Sequence, residues 1–294
     1  MNFYQFDPRP QGVVANEKIL SENPDMLGVE VTEPVWAARC SRGNIDHHSA
    51  ADTAETPSAC EQALKQAFAC ENETNLWPSA MATIRPDADS ITAMAVMKNA
   101  QEGRPTDEEL VHSVGRMDRY GPSAGKPDVR VSAIARKAFD FKLPLADRVA
   151  WVADLFAGVD KSAEIAALVA ANDAELEAAQ RVTGLTLRAD GRIAVVVSTS
   201  RNATTLGYEK AQVVIALNPS LLVDPRDSSK GTYVKFTVCR YDSHVKCDLP
   251  AALKELQALE SGWGGRGDIF GSPQGVSSVL TLDQVVGVVS RHLK

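Results

Sequence analysis

Two short stretches of the chain concentrate side chains able to hold a metal ion and handle a phosphoester. The first is Asp46-His47-His48, and the second is Asp87-Ala88-Asp89, followed by Ser90. Carboxylate oxygens and imidazole nitrogens suit Mn²⁺, Mg²⁺ or Zn²⁺. Acids spaced i, i+2 on a turn can point toward neighbouring ions. Taken singly, each stretch has a plainer use: paired aspartates in a turn are commonly solvated or cap a helix, and adjacent histidines are commonly an exposed polar pair. Their conjunction weakens the plainer readings, because two of the five histidines in the chain stand behind an aspartate at one predicted strand end while a second strand ends in Asp-x-Asp.

Further residues could complete such a centre. Asp118, in the predicted turn GRMDRYG, is a candidate additional carboxylate, and His112 a weaker candidate ligand. Arg42, in the turn before the histidine pair, and Arg85, beside Pro86, are placed to meet a phosphate. Ser90 opens a predicted helix whose unpaired N–H groups would favour an anion. Trp263, next to a glycine-rich stretch, could stack on a base, although packing beneath the glycines is the commoner use.

The elements that must carry these residues follow from the pattern of apolar positions. MLGVEVTEPVWAARC reads as a strand broken at Pro34 and leads into the turn before Ile45. Thr56-Pro57 opens a helix, AMATI is a short strand, and ITAMAVMKNAQEG is helical. Strand, acidic turn, helix is the unit of an α/β sheet, and such sheets place ligands at the carboxyl ends of strands. Thr106-Asp-Glu-Glu reads as a capping box. Residues 1–25 read as an irregular lead-in. From about 131 to 182 the chain is helical and Ala-rich, interrupted at Leu143-Pro144. After Gly184, RIAVVVSTS, QVVIALN and TYVKFTVCRY read as strands, and LPAALKELQAL and LTLDQVVGVVSRHL as helices. The expected fold is α/β in two domains: a larger N-terminal parallel-sheet domain and a smaller C-terminal α/β domain, joined by a helix.

Composition narrows the function classes. With 44% hydrophobic and 23% charged residues among 294, the chain is of ordinary globular type. No apolar run approaches the roughly 20 residues that span a bilayer, and no secretory signal pattern opens the sequence, so a cytoplasmic protein without membrane association is expected. Five widely spaced cysteines without a C-x-x-C pair argue against a disulfide framework or a zinc knuckle. A net charge of −7 without a basic block disfavours a clamp on duplex nucleic acid. Short anionic ligands remain compatible, and a homodimer stays open. No P-loop, dinucleotide fingerprint, nucleophile elbow or H-E-x-x-H motif occurs.

GNIDHH resembles the motif that names the DHH phosphoesterases, and RPDADSITAMAV resembles their acidic motif, N-P-D-x-D-A-x-x-S. VKFTVCRYDSHVKCDLPAALKEL followed by GGRGDIFGSPQG is similar to the DHH-associated substrate domain with its loop GGGH-x-x-A-A-G. The resemblance implies a metal-binding domain over 1–160, a helical linker over 161–184 and a substrate-binding domain over 185–294. It implies Mn²⁺ (or Mg²⁺) held by His47, Asp87 and Asp89, and a contact from His48 to the scissile phosphate; Asp118 is the candidate additional metal ligand, and Asp46 joins His48 as a catalytic candidate. It also implies substrate contacts from the Gly264-Gly265-Arg266-Gly267 loop. The implied activity is hydrolysis of a small phosphorylated substrate, such as a short single-stranded oligonucleotide or a dinucleotide. Three features depart from the family pattern: Thr83 stands where a metal-binding histidine is expected, the DHH stretch precedes the acidic one, and Arg266 and Asp268 replace the loop histidine. They leave a second reading, a catalytically impaired nucleotide- or phosphate-binding regulatory protein of the same fold.

Overall fold

The structure, a computed structural model, describes residues 1–48, 55–72, 77–124, 128–200, 202–224, 227–240, 245–265 and 267–294. The chain divides into two compact units, one comprising Met1–Tyr120 and Ala124–Asn172, the other Gly121–Ser123 and Asp173–Lys294.

The first unit is built on a parallel four-stranded sheet. Its elements in chain order are β1 (Asn2–Gln5), α1 (Val13–Glu22), β2 (Met26–Val29), α2 (Pro34–Ala37), β3 (Asn44–Ile45), α3 (Ala59–Asn72), β4 (Ala80–Thr83), α4 (Ala88–Gln101), α5 (Glu108–Tyr120), α6 (Val129–Ala138) and α7 (Leu145–Phe156), with α8 (Ser162–Val182) running on into the second unit. The sheet order is β1-β4-β2-β3, and every neighbouring pair is parallel. Side chains alternate across a strand, and the core splits accordingly. Leu27, Val29 and Met81 join one buried cluster with the helical residues Ala63, Met94, Met97, Leu110, Ile134 and Val152, while Met26, Ala80 and Ala82 join Phe6, Leu20 and Trp36 in another. Helix α4 is apolar on nearly all sides because it is buried on nearly all sides, with Ile91 through Met97 enclosed.

Several expectations are corrected here. Residues 1–25 are not an irregular lead-in: β1 pairs with β4 from Asn2↔Ala80 to Gln5↔Thr83, and α1 follows. The stretch after Pro34 is the helical turn α2 rather than a resumed strand, with Pro34 at its start, where a missing N–H costs nothing. The sequence GRMDRYG is not a turn, because α5 remains helical through Tyr120 and so carries Asp118 on a helix face. The helix opening expected at Thr106 is capped one residue later, by Asp107 Oδ1 accepting the Leu110 N–H at 3.0 Å.

Among the described residues, the second unit carries, after the end of α8, a six-stranded mixed sheet and three α-helices: β5 (Gly184–Arg188), β6 (Ile193–Val197), α9 (Ala203–Tyr208), β7 (Val213–Leu222), β8 (Thr232–Arg240), α10 (Leu249–Leu259), β9 (Gly264–Gly265), β10 (Ile269–Gly271) and α11 (Leu282–Arg291). The order is β5-β6-β7-β8-β10-β9, with β6 and β7 parallel and the other pairs antiparallel. Residues of α10 and α11 bury one face of this sheet, and residues of α9 lie against the other. Among the described residues, no helix is long and apolar enough to cross a membrane.

Candidate metal centre

Because the strands of the first unit are parallel, β2, β3 and β4 all deliver their next residues to one edge of the sheet. Strand β2 is followed by Glu30, β3 by Asp46-His47-His48, and β4 leads to Asp87 and Asp89. The triplet turns sharply on its own aspartate. Asp46 Oδ1 accepts the backbone N–H of His47 at 2.8 Å and of His48 at 3.0 Å, and lies 2.9 Å from His48 Nδ1. Gln62 of α3 holds the turn from behind, its Nε2 donating to the Asp46 carbonyl and to that of Pro57, both at 2.8 Å. The turn sends the His47 ring inward, where the residue is 2% exposed, and leaves His48 exposed.

Three carboxylate oxygens surround His47 Nε2: Asp118 Oδ2 at 3.0 Å, Glu30 Oε1 at 3.3 Å and Asp89 Oδ2 at 3.6 Å. Donors about 2.1 Å from an octahedral ion stand about 3 Å apart, so these spacings match the edge of a coordination shell. Two overlapping sets bring their donor atoms within 4.8 Å of one another: Glu30, His47 and His48, and His47, Asp89 and Asp118. Glu30 Oε1 and Asp118 Oδ2 are buried oxygens without a hydrogen bond.

The charges in this pocket do not balance among themselves. Among the described residues, no Lys or Arg pairs with Glu30, Asp87, Asp89 or Asp118, so four acids face only the imidazoles of His47 and His48. Burial, and then the neighbouring charges of Asp87, Asp89 and Asp118, push the Glu30 carboxyl well above its ordinary range. Burial and the Asp118 charge push Asp89 to about 6, although the Cys60 thiol and the Cys60 N–H pull it down. Asp87 is raised by burial and by Asp118. Burial also pushes Asp46 upward, but its hydrogen bond to His48 and the imidazole charge hold it below the usual carboxylate range. Buried acids that repel one another become stable anions when a cation joins them, and divalent ion binding then releases their protons. The donor set of carboxylate oxygens and imidazole suits Mn²⁺, Mg²⁺ or Zn²⁺.

Asp87 and Asp89 prove to have separate jobs. Asp87 caps α4: its Oδ1 accepts the Ser90 N–H at 3.0 Å, and its own N–H donates to Ser90 Oγ at 2.9 Å. Its carboxyl also shares a hydrogen bond with Glu30. Asp89 is fully buried and caps a different helix, accepting from the Ala59 and Cys60 N–H groups of α3 at 2.7 and 2.9 Å. Asp118 reaches His47 because α5 lies close against the start of α3. A Cβ on Gly115 would meet Ser58 Oγ at 2.6 Å and Glu61 at 2.8 Å.

Not every candidate joins this group. Arg42 is level with Met26, at the amino end of β2, and pairs with Asp25 at 3.1 Å, so it lies at the opposite sheet edge. Ser90 is fully buried with its hydroxyl committed to the Asp87 cap. Arg85 is exposed just beyond β4, at the same edge as the cluster. His112 bonds Glu61 at 3.3 Å rather than the cluster. Thr83 is buried at the end of β4, and its Oγ1 has no hydrogen-bond partner.

In the second unit, Gly264 and Gly265 pair with Gly271 and Phe270 as a small hairpin. Only a glycine suits position 265, at φ +139° with Ile269 O 2.6 Å from any added Cβ. Gly267 is exposed, whereas Arg266 lies outside the described residues. Trp263 takes the commoner of its two expected uses: it is a core residue, packed between Phe236 and Phe270 with its Nε1 donating to Glu260. The five cysteines are free and buried.

The residue that sequence reasoning missed is Glu30. Its signal was an acid inside the apolar run MLGVEV, which strand alternation explains away as an outward-facing side chain. In fact it is 4% exposed and sits at φ +51°, a left-handed conformation uncommon for a non-glycine residue. No protein-family model matches the chain, and no curated protein matches it.

Proposed function

We propose that this chain is a divalent-metal-dependent phosphoesterase that hydrolyses a small phosphorylated substrate, such as a short oligonucleotide or a dinucleotide, in the manner of the DHH phosphoesterases that GNIDHH resembles. The observation that carries the reading is the set of three carboxylate oxygens 3.0–3.6 Å from His47 Nε2, at the carboxyl edge of a parallel sheet. His47, Glu30, Asp89 and Asp118 would hold the ion, with Asp87 beside Glu30 adding negative charge, and Mn²⁺ or Mg²⁺ fits the donors. When bound, such an ion supplies positive charge for a phosphoryl oxygen and acidifies a bound water.

The chain's own contribution is orientation and proton handling. Asp46 fixes the His48 ring through Nδ1, which leaves Nε2 as the nitrogen able to meet a phosphoryl oxygen or a departing alkoxide. The ring is 31% exposed and therefore within reach of a ligand. The second reading, a binder that does not turn over, is favoured by Thr83, whose buried hydroxyl offers a poorer ligand than an imidazole.

Metal analysis of the purified protein, followed by a turnover assay with bis-p-nitrophenyl phosphate and short RNAs, tests both readings. Mn²⁺-dependent product that vanishes in His47→Ala supports the enzyme. Stoichiometric metal and nucleotide binding without product supports the binder. Failure to retain or take up Mn, Mg or Zn sinks both.

A further inference from the structure

The carboxylate of Glu30 is aimed by a backbone conformation that the chain must enforce, and one neighbouring side chain is built to enforce it. Strands β2 and β3 pair as Gly28↔Asn44 and Val29↔Ile45, and the Glu30 N–H still reaches the Ile45 carbonyl at 2.9 Å. At Glu30 the backbone turns left-handed. Ordinary strand pairing cannot continue through such a residue. Instead the Asn44 amide supplies the next rung: its Oδ1 accepts the Val31 N–H at 3.1 Å, and its Nδ2 donates to the Val31 carbonyl at 3.2 Å. The two contacts reproduce the donor and acceptor of a peptide group, with a side chain standing in for a strand.

Two further observations point to the same job. The Asn44 side chain crosses β2 at Gly28, where an added Cβ would lie 2.5 Å from Oδ1, so the rung needs glycine beneath it. Asn44 Nδ2 also reaches Asp46 Oδ2 at 3.4 Å, and Asp46 in turn bonds His48 Nδ1. One amide thus braces the residue after Glu30 and the residue before the histidine pair.

We infer that Asn44 is a positioning residue: it holds Glu30 in its left-handed conformation and sets that carboxylate and the histidine pair in one geometry for a divalent ion. A non-glycine residue seldom rests in the left-handed region, and pairing on both sides of Glu30 is what opposes its relaxation. The inference rests on the metal-centre reading for its binding consequence, but not for its conformational one.

The test is a double-mutant cycle in Mn²⁺ affinity, by calorimetry, over wild type, Asn44→Ala, Glu30→Gln and the double variant, with crystal structures of metal-free wild type and Asn44→Ala. Loss of an outer-shell partner typically weakens metal binding about 10–100-fold, and Asn44→Ala is expected to fall in that range. If Asn44 acts largely through Glu30, the double variant loses less affinity than the two single losses combined, and Glu30 leaves the left-handed region in Asn44→Ala. Additive losses, or an unmoved Glu30, overturn the inference. If wild type takes up no Mn²⁺, the metal reading fails and the two crystal structures alone decide the role of Asn44. Should Asn44→Ala not fold, Asn44→Asp serves in its place, because it keeps the acceptor for Val31 N–H and removes the donor.

Discussion

His47 Nε2 stands 3.0 Å from Asp118 Oδ2, a contact between a strand-end turn and the last turn of α5. It depends on how near α5 can come to the start of α3, and Gly115, one turn before Asp118, sets that distance. An alanine there would drive its Cβ against Ser58 Oγ and the Glu61 side chain.

Gly115→Ala should therefore separate the helices and draw Asp118 off His47. Overpacking of this kind costs about 1–3 kcal/mol. Thermal denaturation should show a lower midpoint without metal and a smaller rise on adding Mn²⁺. An unchanged Mn²⁺ effect would mean that Asp118 is not a ligand.

Metal binding itself should stabilise the wild-type chain. An ion at 100 times its dissociation constant contributes about 2.7 kcal/mol, which for a unit of this size raises the melting midpoint by about 5–10 °C. Chelation with EDTA should reverse the shift, and Na⁺ at equal ionic strength should not reproduce it.

Glu30→Gln keeps the shape of the side chain and removes a carboxyl whose ionisation the pocket opposes. At pH 7.5 the metal-free variant is expected to be more stable than wild type by about 1–3 kcal/mol, because the acids around it no longer repel this position. The Mn²⁺-induced rise should shrink. A variant less stable than wild type without metal, yet equally stabilised by Mn²⁺, would remove Glu30 from the centre.

The pH dependence follows from Asp89, whose carboxyl is held at about 6 against an ordinary 3.8. A folded value above the unfolded one favours the protonated native state. Its stabilising effect is complete below pH 3.8 and is lost as pH rises through 6, an effect on the order of 3 kcal/mol for about two units. Asp46 and Glu61, whose values are lowered, act in the opposite sense. The clean measurement is thus the difference in metal-free midpoint between wild type and Asp89→Asn from pH 4 to 7.5. The gap should shift against wild type as pH rises, and a pH-independent gap would rule out the charge effect.

The two histidines should separate binding from turnover. His47→Ala should abolish Mn²⁺ uptake. His48→Ala should keep most of it while activity falls by about 10²–10⁴, the range for loss of a proton-transfer group. Equal loss of Mn²⁺ in both variants would make His48 a ligand instead.

The parts of this centre that were legible in the sequence are those that local pattern controls. Asp46, His47, Asp87 and Asp89 each follow a short strand, and strand ends on one sheet edge converge. Glu30 was hidden because a single acid in an apolar strand looks the same whether it faces solvent or a buried cluster, and its left-handed backbone depends on Asn44, a residue of another strand. Asp118 was misplaced by its flanking glycines: Gly115 and Gly121 suggested a turn, whereas Leu110, Val111, Val114 and Met117 already repeat with helical spacing. Strand β1 was missed because Asn2 and Gln5 mask a pairing that only β4 reveals.

Asp89 bears on how this chain's descendants and relatives would be judged. The carboxylate that faces His47 through Oδ2 also closes the first turn of α3, so a lineage that abandoned the ion would still be penalised for replacing Asp89. Its persistence would testify to the helix and say little about chemistry. Among the described residues, Glu30 and Asp118 cap no helix: each contributes a buried oxygen without a hydrogen bond, and a chain released from metal binding has reason to discard both. Those two positions, rather than the histidine pair that first draws the eye, are where a working centre and its fossil would differ.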